Sequence, residues 1–67
     1  MDVLNRLRAF PFIAILRGVR PDEVLALSDI LVETGFQVIE VPLNSPEPLD
    51  SIERLASALP DTLIGAG

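Results

Sequence analysis

Cysteine, histidine and lysine are all absent from this 67-residue chain. Without cysteine there is neither a disulfide framework nor a thiolate metal site. Without histidine the commonest general base and zinc ligand are missing. Metal binding would fall to carboxylates alone, and those are not clustered along the chain, so no metal site is expected. The positive charge consists of five arginines, Arg6, Arg8, Arg17, Arg20 and Arg54, against ten acidic residues, for a net charge of −5. That balance, with no basic run, excludes a nucleic-acid partner, which needs cations opposite phosphates. No apolar run approaches the roughly 18–20 residues that span a bilayer, so no membrane partner is expected. The opening "MDVLNRLRAF" has neither a long apolar core nor a small-residue cleavage site. These absences point to a cytoplasmic protein.

What is present is apolar and regularly spaced. Hydrophobic residues make up 49% of the chain, well above what a disordered segment carries. Three short apolar runs, "FIAIL" (12–16), "QVIEV" (37–41) and "TLIGAG" (62–67), read as strands, and their first residues stand 25 positions apart. Between them lie two helical segments. In "PDEVLALSDILVETG", Pro21 suits a first turn, Asp22 and Glu23 suit the positive end of the helix dipole, and Gly35 is the stop. Val24, Leu27 and Leu31 form its apolar stripe. In "EPLDSIERLASAL", Leu49, Ile52, Ala56 and Leu59 share a face, and Pro60 ends the segment. The opening "VLNRLRAF" reads as a short preceding helix with Val3, Leu4 and Leu7 as its apolar side. "LNSPEP" is a turn with Asn44 or Ser45 as the helix cap.

Strand, helix, strand, helix, strand is the pattern of a parallel sheet, because a parallel return requires a crossover. Three parallel strands leave two unpaired edges and one uncovered face. Residues 1–67 are therefore expected to be an incomplete single domain without internal boundary, the N-terminal βαβαβ portion of a parallel barrel or doubly wound sheet. Superposing the runs on the 25-residue repeat puts Ile15, Glu40 and Gly65 in equivalent places. Alternation along the strand then places Arg17 on the face of Ile15 and Glu40. A carboxylate in "VIEVPLNSP" is costly if it is buried without partners. Ligand sites of parallel α/β folds lie at the carboxyl ends of the strands, where Glu40 and Arg17 both fall. The plainer reading makes Glu40 a loop cap or the partner of a surface arginine, and Arg17 a solvated loop residue. "GAG" allows a close backbone approach but is too short for a dinucleotide fingerprint.

Across "IAILRGVRPDE", "GFQVIEVPLNSPEPLDSI" and "LIGAG" the chain resembles the bacterial 2-keto-3-deoxy-6-phosphogluconate and 2-keto-3-deoxy-6-phosphogalactonate aldolases. "EVPLNSP" and "ILRG" look more like the galactonate enzymes, since the gluconate enzymes usually read "EVTLRT" or similar there. The resemblance implies an α/β fold, the (β/α)8 TIM barrel, of which this chain is about the first third. It implies a class I aldolase, a lyase of carbohydrate and galactonate degradation that needs no metal and no cofactor. Such an enzyme is usually a homotrimer. It forms a Schiff base between a later lysine and its substrate, a phosphorylated keto-deoxy sugar acid. The products are pyruvate and glyceraldehyde 3-phosphate. By its place in "VIEVPLN", Glu40 matches the family's catalytic acid/base. Arg17 in "ILRG" matches its substrate-binding arginine.

The departure from that pattern is the missing lysine, without which the 67 residues alone are expected to be inactive. Two other readings stand beside the aldolase. One is a different phosphate-handling barrel isomerase or synthase with Glu40 as base. The other is a non-catalytic fragment whose strands pair with another chain.

Overall fold

The structure, a computed structural model, describes residues 3–67. Its elements in chain order are α1 (Val3–Ala9), β1 (Ile13–Ile15), α2 (Val24–Thr34), β2 (Val38–Val41), α3 (Pro48–Ala58) and β3 (Leu63–Ala66). The strands form one parallel sheet in the order β1-β2-β3, an α/β arrangement in which α2 and α3 each carry the chain back to start the next strand. Ile15 pairs with Glu40, and Glu40 with Gly65, which is the register expected from the 25-residue spacing. Among the described residues no helix is long and apolar enough to cross a membrane.

The two faces of the sheet differ sharply. Ala14, Ile39 and Val41 lie in one buried cluster with Val19, Val24 and Leu55, and Ile64 packs against it. This is the helix-covered face, and each large aliphatic side chain fully buried there contributes about 1.5–3 kcal/mol. On the other face Ile13 and Ile15 remain 47% and 53% exposed. Only the start of β2 is covered: α1 packs against that strand, and Val38 is buried.

The helices turn differently from the pattern read in the sequence. α2 buries Val24 and Ser28, with Leu31 half-buried, while Leu27 is exposed. Its apolar residues surround the axis, so periodicity alone leaves the buried side undetermined. Ser28 fits the interior because its Oγ donates to Leu25 O at 3.0 Å. α2 also starts later than Pro21: residues 21–23 form a turn, in which the Arg20 N–H donates to Glu23 Oε1 at 3.0 Å. Its end is as read, with the Gly35 N–H bonded to Leu31 O and Val32 O. α3 buries Leu55 and Ser51, with Ile52 and Leu59 half-buried, and leaves Leu49 and Ala56 exposed.

In α1 the buried residue is Arg6 rather than Val3 or Leu4, both of which are exposed. Its guanidinium Nη1 donates to the carbonyls of Gln37 and Asp61. Those carbonyls lie in the segments entering β2 and β3, so Arg6 ties α1 across the amino ends of both strands. A cation is tolerated there because carbonyl oxygens face its Nη1, that of Gln37 also accepting the Leu63 N–H.

Beyond the start of β2, nothing among the described residues covers the second sheet face or pairs with the outer edges of β1 and β3. The 67-residue chain in isolation is expected to self-associate or to lack a cooperative thermal transition. Light scattering on a size-exclusion column, with thermal melting, checks this. A monodisperse monomer with a sharp transition would contradict it.

Candidate active site

Glu40 is the next-to-last residue of β2 and lies on the open face of the sheet. Its strand neighbours Ile39 and Val41 are fully buried on the opposite, helix-covered face. The backbone alternation that buries these two is what turns Glu40 outward. The side chain is half-buried, and among the described residues its carboxylate has neither a hydrogen bond nor an ion pair. Its backbone is engaged, with Glu40 O accepting the Leu16 N–H at 2.9 Å. Leu16 immediately precedes Arg17, so this bond fixes the start of the Arg17 turn beside the end of β2.

The carboxylate leans across the end of β3. A Cβ built on Gly67 would collide with Oε2 and Cδ of Glu40. Gly67 thus provides the space in which the acid lies. Gly65, two residues earlier, would meet nothing.

Arg17 occupies the turn that follows β1, exposed and without a partner among the described residues. It is not ion-paired with Glu40. The other arginines stand elsewhere or are committed. Arg6 is buried against carbonyls, Arg8 belongs to α1 at the far end, Arg20 pairs with Asp22 and Glu23, and Arg54 holds Asp50 and Pro21 O. One acid and one arginine, both uncommitted, therefore occur together at the carboxyl ends of adjacent parallel strands. A groove between α2 and α3, lined by Leu25, Asp50, Arg54 and Ser57, belongs to the helix layer and has no part in this site.

Neither Asn44 nor Ser45 caps α3. The N-cap position is Glu47, with φ 46° and no side-chain bond, and Pro48 opens the helix. Two prolines, Pro46 and Pro48, separate Ser45 from the first free amides of the helix, and its hydroxyl turns the other way. Ser45 Oγ accepts the N–H of Gly18 at 3.2 Å. Nothing in the sequence advertised this link, since its partners lie 27 residues apart.

A parallel βαβαβ sheet with an acid and an arginine at its carboxyl ends has them where parallel α/β folds place ligand sites. The family model for KDPG and KHG aldolase matches residues 3–67, and the chain belongs to that family. It is 53% identical over 58 residues to the probable 2-dehydro-3-deoxy-6-phosphogalactonate aldolase of Rhizobium meliloti (strain 1021), covering 85% of this chain and 27% of that protein. Over the same length it is 50% identical to the 2-dehydro-3-deoxy-6-phosphogalactonate aldolase of Escherichia coli (strain K12), covering 85% of this chain and 28% of that one. The native KDPGal structure superposes with a TM-score of 0.83 at 47% identity, over 87% of this chain and 29% of the other. The three strands correspond to part of that aldolase's parallel barrel. The chain thus spans little more than a quarter of the length of these relatives.

Proposed function

We propose that residues 1–67 form the incomplete first part of a single class I aldolase domain. Its reaction is the cleavage of 2-keto-3-deoxy-6-phosphogalactonate to pyruvate and glyceraldehyde 3-phosphate. The observation that carries this reading is Glu40, a half-buried carboxylate, unpaired among the described residues, at the carboxyl end of β2 in a chain of this family. Both relatives that are half identical over 58 residues are named for the galactonate substrate. The complete enzyme acts as a cytoplasmic homotrimer.

In this reaction a lysine outside these residues makes the imine that draws electrons from the bond to be broken. Glu40 accepts the proton of the substrate hydroxyl as the carbon–carbon bond cleaves and the aldehyde leaves. It then returns a proton to the enamine carbon, and hydrolysis frees pyruvate. One carboxylate serves as base and then as acid. Arg17 holds the substrate carboxylate in a forked, charge-assisted pair. The phosphate is expected further along the barrel, where such folds commonly seat it at strands seven and eight.

The test has two parts. The complete aldolase carrying this segment should release pyruvate from the galactonate substrate faster than from its gluconate epimer. Borohydride reduction with pyruvate should trap the adduct on a lysine outside residues 1–67. The isolated segment should give none, because it has no lysine. A stable adduct mapped within residues 2–67 would refute the assignment.

A further inference from the structure

Ser45 has no part in the chemistry above, yet it is only 5% exposed at the edge of the site. Its Oγ accepts the Gly18 N–H at 3.2 Å, joining the turn after β1 to the turn after β2. Gly18 has φ +75°, a left-handed conformation that side chains strain to adopt. It directly follows Arg17. Since the Arg17 side chain has no partner among the described residues, its direction depends on how firmly this turn is held. Among the described residues, the backbone bond that closes the turn is a long one, from the Val19 N–H to Leu16 O at 3.4 Å.

The turn that presents Ser45 is better anchored. The Ser45 N–H donates to Pro42 O at 3.0 Å, and the Leu43 N–H donates to Gly67 O at 2.7 Å. Pro42 and Pro46 stiffen both ends by fixing φ. Residues 42–45 are therefore pinned to the end of β3, beside the Glu40 carboxylate, while their last side chain grips the Arg17 turn.

We propose that Ser45 is a positioning residue whose hydroxyl holds the Arg17–Gly18 turn, so that the guanidinium is aimed before substrate arrives. The inference rests on the reading of Arg17 as the substrate-carboxylate contact. An arginine ordered during folding does not pay for its ordering again when the ligand binds. Loss of the Ser45 hydroxyl frees the turn and moves that cost to the binding step. KM should rise while kcat stays, because Arg17 acts alike in ground and transition states.

The experiment is a steady-state double-mutant cycle on the complete aldolase with Ser45→Ala, Arg17→Ala and the pair. Ser45→Ala is expected to raise KM roughly three- to tenfold, the worth of one hydrogen bond, with kcat within about twofold. In the Arg17→Ala background the same change should alter KM by less than about 1.5-fold, because the group it positions is gone. Ser45→Cys, nearly isosteric but a poor acceptor, should repeat the single-variant result, and serves in its place if the alanine variant does not fold. An unchanged KM in a folded Ser45 variant overturns the proposal. So does an equal rise with and without Arg17, which would make Ser45 merely structural. An Arg17→Ala variant with unchanged KM would instead sink the substrate role of Arg17, and this inference with it. The single variants thus tell the two failures apart.

Discussion

Glu40→Gln in the complete aldolase is expected to lower kcat by about 10²–10⁴-fold, the usual worth of general acid–base assistance. Glutamine has nearly the same volume, so it should occupy the space over Gly67 without disturbing the sheet. The carboxylate makes no hydrogen bond or ion pair among the described residues, so the exchange breaks no contact seen there. The fold should therefore survive, as circular dichroism would confirm. On the role proposed for Glu40, the variant loses the group that would take up and return the proton. The geometry offers a second route to the same loss. In Gly67→Ala the new methyl would compete for the place of Glu40 Oε2. A flexible side chain yields readily, so the penalty should fall on kcat rather than on the melting temperature. If Glu40→Gln keeps kcat within about threefold of the parent, far below the range for a catalytic acid/base, Glu40 is a structural residue.

Arg17→Ala should show the opposite signature, with KM raised roughly 10- to 100-fold and kcat changed little. That range is what a charge-assisted hydrogen bond contributes to holding a carboxylate. The effect falls on KM because the carboxylate keeps its charge throughout and is held alike before and during the reaction. Arg17→Lys should fall between the two, since it keeps the charge but loses the fork. Steady-state kinetics on both variants decide the matter. A large fall in kcat at unchanged KM would place Arg17 at the reacting atoms instead.

How much of this was legible beforehand depends on the element. In the strands the side-chain period is two, and one buried face leaves a single acceptable register. The even spacing of the three apolar runs was therefore enough to align Ile15, Glu40 and Gly65, and the sheet pairs them so. The same alternation put the carboxylate on one face with Ile15, and the packed helices made that the open face. The chain end of each strand, and so the place of Glu40 and Arg17 at the carboxyl ends, also followed from the order of the runs. The role proposed for the site rests instead on the motifs, because spacing alone left Glu40 open to a plainer reading.

The helices were different. α2 is apolar on nearly every side, and which residues face inward was settled by packing against the sheet, which chose Val24 and Ser28 over Leu27. α3 likewise buries Leu55 and leaves Leu49 in solvent. Arg6 is inside because carbonyls at the amino ends of β2 and β3 converge on it. No local pattern announces a set of partners assembled from distant segments. The same holds for Ser45, whose place after β2 invited a capping role. A local cap needs only residues near in sequence, whereas the bond it makes needs β1 and β2 already side by side. Sequence periodicity can state which face a strand residue joins; only the assembled sheet brings the Gly18 amide within reach of the hydroxyl.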